Sequence, residues 1–325
     1  MLDVTIEKSA IHIGQRFAVS FQRTLRIPDD GRTYPLPPGL GVFPIYQVED
    51  YQDKLPQAWR ETGGAFIPMY QREALWLGFR GASWKPNALK IAIGGINAIS
   101  GQPHDPILHD NPQDYLVIPN QPWLDGIKTG QGSVRQFVAM PLGLGYTVEA
   151  ALTGQETYGG IQIIVFEPKP GRFPDAPPPE SELGPQMARS LGSKSTPSMG
   201  LGAGGVMKQK IYPDSYGIEV WNQENCGSVT VHILNSAQYR SITGQEPPPT
   251  PIDAATYTKY QLPWFDLYDE EKGALTPSEQ LANVKTVTKH DAELGLSAGE
   301  QASFDVPETQ IKKLREEETR ATDFD

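Results

Sequence analysis

The chain has 325 residues, 28 basic against 39 acidic, and a net charge of −11. Such a balance, with no basic cluster interleaved with aromatics, argues against nucleic acid as a partner, because phosphate backbones bind to positive surface. A single cysteine, Cys226, excludes an intrachain disulfide, and no apolar run approaches the roughly 18 residues of a membrane helix.

The opening residues MLDVTIEKSAIH lack the basic start and apolar stretch of a secretory signal, so the simplest expectation is a soluble cytoplasmic protein without membrane insertion. The 32 glycines and 30 prolines imply many turns, yet fall short of the ~25 to 30% that marks low-complexity chains.

Period-two alternation is the strongest local signal, because successive side chains on a strand point to opposite faces. In RFAVSFQRTLRI, residues 16–27, Phe17, Val19, Phe21, Leu25 and Ile27 share one face, interrupted by Arg23. This predicts a half-buried antiparallel strand. Further strands are expected in EALWLGF, LKIAIGGINAI, DYLVIP and SVRQFVAMPL, each bounded by Gly, Pro or Asn. A short helix is expected at YTVEAALTG, with Thr147 as cap and Gly154 as stop. GGIQIIVFEP is apolar on both faces through Ile163, Ile164, Val165 and Phe166, as in a strand at the centre of a sheet. Residues 1–167 therefore read as a β-rich body.

From 168 to 205 the texture becomes rich in Pro, Gly and Ser and predicts an excursion or linker. Residues 206–275 are expected to complete the body. There YGIEVWN and SVTVHILN read as a hairpin turning at Asn225 to Gly227, followed by a helix from Asn235 to Gly244. The region 276–325 reads as helical: Thr276, Pro277 and Glu279 predict a capped start, and the charged tail has only Ile311 and Leu314 to bury. The expected class is mainly β, an antiparallel sandwich-like body with a few helices concentrated in the C-terminal third.

Chemistry-bearing residues are sparse. GQPHDPILHDNPQD, residues 101–114, holds two His-Asp steps, His104-Asp105 and His109-Asp110. His and carboxylate suit zinc, manganese or iron, but a separation of five fits neither helix nor strand, and three prolines make this a loop. The stretch reads first as a turn between strands. A divalent metal on His104, Asp105, His109 and Asp110 is the minority expectation, and otherwise no cofactor is expected.

Asp266, Asp269, Glu270 and Glu271 lack the spacing of a calcium loop and read as solvated acids beside anchoring aromatics. GLGAGG, residues 200–205, matches a dinucleotide fingerprint only formally, since no strand is predicted before it. Cys226 and His232 are close in sequence, but Glu224 opposes an activated thiolate. Trp123, Trp264 and Phe265, with Ile311 and Leu314 of the tail, are the candidate interface or ligand anchors, because tryptophan serves cores, interfaces and sugar-stacking platforms alike.

The segments NPQDYLVIPNQPWLDGI, VHILNSAQYRSITGQEPPPTP and LPWFDLYDE resemble an uncharacterised family of bacterial and fungal hypothetical proteins. The resemblance brings no activity and no catalytic residue; it implies that both halves form one inherited unit. No catalytic motif assembles, so the leading expectation is a non-enzymatic, self-assembling homo-oligomer. The alternatives are a metal-dependent hydrolase using the His104 to Asp110 loop and a carbohydrate-binding β-sandwich using Trp123 or Trp264.

Overall fold

The computed structural model describes residues 1–176, 198–250, 253–267, 273–296 and 303–314. It opens with β1 (Val4–Ile6), β2 (Ile11–Ile13), β3 (Phe17–Thr24), β4 (Thr33–Tyr34) and β5 (Tyr46–Gln47). A 3₁₀ turn at Glu49–Lys54 and helix α1 (Gln57–Thr62) lead into β6 (Ala65–Met69), β7 (Ala74–Arg80), β8 (Asn87–Ile93) and β9 (Ile96–Asn97). Then follow β10 (Leu116–Ile118), β11 (Trp123–Leu124), β12 (Gly126–Gly130), β13 (Ser133–Pro141), α2 (Val148–Thr153) and β14 (Ile161–Pro168). The rest comprises β15 (Met199–Lys208), β16 (Trp221–Asn235), α3 (Ser236–Thr243), α4 (Ala254–Lys259), β17 (Trp264–Leu267), α5 (Glu279–Ala282), α6 (Val287–Glu293) and β18 (Ile311–Leu314).

All of the strands but β17 and β18, which pair separately, join in one large, mostly antiparallel sheet whose main path is β1-β2-β3-β7-β13-β15-β16-β14-β8-β10. Its two halves meet at a single bridge, Met199 with Ile233. Phe17, Val19 and Phe21 of β3 and Leu75 and Leu77 of β7 face Ile161, Ile163 and Val165 of β14 and Leu89 and Ile91 of β8 in one shared core. The body is therefore sandwich-like, mainly β, with its helices mostly in the C-terminal part. Each of these side chains withdrawn from water contributes roughly 1.5 to 3 kcal/mol, which is why the alternating pattern dictates the fold. Among the described residues no helix is long and apolar enough to cross a membrane.

Several expectations change. Strand β3 is buried on both faces, and residues 38 to 43 pair along the edge that β2 leaves open: Thr24 donates to the Pro38 carbonyl at 2.8 Å and Arg23 N–H donates to the Gly41 carbonyl at 2.8 Å. The charge that interrupts its apolar face is answered by Glu73, which accepts from Arg23 at 2.7 and 3.1 Å. Residues 199–208 are no linker but β15, paired with β13 along its length. The glycines of GLGAGG allow close approach: a Cβ on Gly205 would lie 2.0 Å from the Pro28 carbonyl oxygen, and one on Gly202 would lie 2.7 Å from that of Tyr146. Residues 177–197 of the expected excursion lie outside the described residues.

The expected hairpin at residues 216–235 is also replaced. Trp221 to Asn235 form one continuous strand: Cys226 to Val231 pair with β14 where the turn was expected, residues 222 to 225 fall in a break of register, and Trp221 pairs again with Pro168. Thr147 and Gly154 bound α2, and Asn235 and Gly244 bound α3, as expected. The helical stretch after Thr276 starts instead at Ser278, whose side chain caps Leu281 N–H; it breaks at Asn283 and restarts behind Thr286. As far as it is described the tail is a single 3₁₀ turn, Glu308–Gln310, followed by a strand in place of the expected helix, since Ile311 to Leu314 pair in parallel with Trp264 to Leu267. Two apolar residues three apart are too few to hold a helix on the body, whereas strand pairing supplies backbone hydrogen bonds as well.

Candidate functional site

The loop 101–114 folds over the outer face of β8. Leu89, Ile91 and Ile93 point to the core, so Lys90 points to the opposite face, where it is fully buried. Its ammonium lies 2.6 Å from Asp105 Oδ1 and 2.7 Å from Asp114 Oδ2, and it donates to the Ile107 carbonyl. Three acceptors thus meet the three donors an ammonium carries. Asp114 also accepts the backbone N–H of His109 at 2.9 Å, and its other oxygen lies 2.9 Å from His109 Nδ1. Asn97 fixes the loop's ends, donating to the Asp114 carbonyl at 2.7 Å and accepting from Ile99 and Ser100 N–H, both at 2.9 Å.

Asp105, His109 and Asp114 bring one ligand atom each within 4.8 Å of one another, the sole such group among the described residues. Their chemistry suits a transition metal. The site does not fit one, because its cation is already Lys90: a divalent ion would have to sit beside a buried ammonium or expel it. For Asp105, burial raises the carboxyl pKa, but the hydrogen bonds from Lys90 and from Ile107 N–H outweigh it and hold the group below its ordinary value.

The four residues singled out in sequence therefore separate. Asp105 and His109 join the cluster. His104 stands apart with Nδ1 buried, and burial followed by the Lys90 charge lowers its pKa. Asp110 is exposed and its backbone bridges to Gln113. Lys90 and Asp114 were missed, and the signal for Lys90 was present: one lysine amid the apolar alternation of β8 demands a buried acid.

The proposed anchors serve the protein's own core. Trp123 is 3% exposed and packs edge-on to Trp76, with ring centroids 6.4 Å apart. Trp264 is fully buried, donates from Nε1 to Thr258 at 3.1 Å and packs against Tyr257 and Phe304. Phe265 exchanges backbone hydrogen bonds with Leu36 at 2.8 and 2.9 Å. Ile311 packs on the main core, while the side chain of Leu314 lies outside the described residues. With their faces covered, neither tryptophan forms a sugar-stacking platform. Cys226 and His232 lie six positions apart on one extended strand, roughly 20 Å, so they form no dyad. Asp266 pairs with Lys208 at 2.6 Å, and Asp269, Glu270 and Glu271 lie outside the described residues.

A cleft of about 610 Å³ opens beside the Lys90 cluster. Its floor is the outer face of β14 and β16, with Gln162, Ile164, Ser228 and Thr230, and His104 forms part of the wall. Across the floor stand Glu49, Arg60 and Thr62, and Val4 and Ile6 of β1 close one side. Among the described residues no aromatic carbocycle or indole lines it. Behind Gly63, which lines the cleft, His232 is buried, stacks on Trp59 with ring centroids 4.5 Å apart, and hydrogen-bonds the Gly63 carbonyl at 3.1 Å. Burial brings its pKa down to about 4, so the ring is neutral near pH 7.

Comparison of the chain with protein-family models, curated proteins and solved structures gives no match.

Proposed function

We propose that this chain is a non-enzymatic structural protein that works by association and forms homo-oligomers. The observation that carries this reading is Lys90 at the centre of Asp105, His109 and Asp114. The one cluster among the described residues with the composition of a catalytic metal centre is saturated by an internal cation, which leaves it a fastener between loop and sheet. A hydrolase on this loop would need an open coordination position and a polarised water, and the ammonium occupies that place.

Association has a surface in the C-terminal strand. Strand β18 pairs in parallel with β17 and carries the exposed Lys312 and Lys313, and we place the contact with a second copy on this segment. Light scattering should give a symmetric homo-oligomer whose mass falls when residues 308–325 are removed. The double variant Lys312→Glu, Lys313→Glu keeps Ile311 in the core and should also weaken association. A monodisperse monomer, unchanged by either alteration, overturns the reading.

A further inference from the structure

Several polar side chains of the 610 Å³ cleft are engaged by the protein's own backbone. Gln162 donates from Nε2 to the Gly159 carbonyl and accepts from Gly95 N–H through Oε1, both at 2.9 Å. Thr62 donates its hydroxyl to the Ala58 carbonyl at 2.8 Å. His104 brings no charge to the cleft near pH 7, because burial, and after it the Lys90 ammonium, lowers its pKa from the ordinary 6.5.

Two full charges are left over. Glu49, in the first turn of the 3₁₀ segment, and Arg60, in the last turn of α1, both line the cleft. The chain between them is fixed by Leu55, which is buried and extended, and by Trp59, which packs on Phe66 and His232; Arg60, one position further, is left exposed. Among the described residues neither charged side chain has a hydrogen bond or an ion pair, with the other or with a third group. A carboxylate and a guanidinium that share a cleft without meeting fit a molecule that carries both opposite charges.

The remaining walls add hydroxyls and an apolar strip. Ser228 and Thr230 stand at alternate positions of β16, so both face the cleft floor. Val4, an exposed apolar side chain, and Ile6 stand at alternate positions of β1 and close one side. We propose that this cleft binds a free α-amino acid with an aliphatic side chain. The carboxylate accepts from the Arg60 guanidinium, a pairing that is strong because both groups are ionised and planar. The ammonium donates to Glu49, and the aliphatic group covers Val4 and Ile6.

Other small molecules match the walls less well. A phosphate ester meets a single cation, since among the described residues Arg60 is the one cationic side chain lining the cleft, and Glu49 repels it. A sugar finds no flat aromatic face among the same residues. The volume falls within the ~300 to 1,000 Å³ of small-molecule sites. Both charges keep part of their water, so the expected affinity is roughly millimolar. The inference goes beyond self-association and does not depend on it.

Saturation-transfer NMR on the full-length protein, with L-leucine and L-valine as probes, tests it. Both amino acids should receive saturation from the protein. Their N-acetyl forms, which lack the ammonium, and their amides, which lack the carboxylate, should bind about tenfold more weakly or worse. Arg60→Gln and Glu49→Gln, at exposed side chains, should each weaken leucine binding by about tenfold with unchanged circular dichroism, and Val4→Asp should weaken it too. No saturation transfer to either amino acid, equal binding of the acetylated or amidated forms, or leucine binding that survives both Arg60→Gln and Glu49→Gln overturns the proposal. A monomer that binds leucine in this way removes self-assembly and leaves the cleft standing, while an oligomer that binds neither amino acid removes the ligand alone.

Discussion

Replacing Lys90 by Met keeps the length of the side chain and deletes its charge. Asp114, with a side chain 5% exposed, would then keep a buried carboxylate without its cation, and Asp105 would face it across the gap. Removing one partner of a buried pair costs about 3 to 5 kcal/mol. The Asp105 arm adds at most ~1 kcal/mol, because its side chain is 43% exposed and solvent screens it. The expected loss at pH 7 is thus about 3 to 5 kcal/mol, read as a lower urea midpoint at unchanged slope. Adding Asp114→Asn should recover most of it, since both charges are then gone. Millimolar zinc should stabilise the Lys90→Met variant and leave the native protein unmoved. A loss below ~1 kcal/mol, or zinc stabilisation of the native protein, would refute the reasoning.

Other expectations follow from the same physics. The folded-state pKa of His232, about 4, lies below its ordinary 6.5. Its contribution is therefore complete above pH 6.5 and is lost as pH falls toward 4, by at most ~3 kcal/mol; His232→Gln should flatten that part of the stability profile, and an unchanged slope would count against the burial argument. The depressed pKa of Asp105 acts lower, its contribution fading as pH drops below the ordinary carboxylate range near 4. Glu73→Ala strands the buried Arg23 guanidinium and should cost about 3 to 5 kcal/mol by chemical denaturation. Gly205→Ala drives a methyl group into the Pro28 carbonyl and should cost roughly 1 to 3 kcal/mol, whereas a linker would tolerate it without measurable change.

Local pattern revealed those elements whose partners merely complete what the residues already prefer. The alternation around Phe17, Leu75, Val138 and Ile163 marks strands that bury one or both faces, and the Thr147 and Asn235 caps mark helices because a side-chain oxygen there satisfies an orphan N–H. The pattern misleads where tertiary contact sets the conformation. Glycines at 200, 202, 204 and 205 resemble a flexible loop, yet they form a central strand because neighbouring backbone and side chains press on it. Asn225 to Gly227 resemble a turn, yet Cys226 and Gly227 pair with β14 and the chain runs on as strand.

The Lys90 cluster was half legible. Its acids and histidine lie within fourteen residues, but the cation comes from β8, and no spacing rule links a loop to the strand beneath it.

Native mass spectrometry of the full-length protein, purified without chelators, tests the central claim most directly, since it reports subunit number and bound metal together. The account predicts a homo-oligomer whose subunit mass equals that of the polypeptide alone. A monomer, or a subunit carrying one transition-metal ion that is lost in His109→Ala, would contradict it.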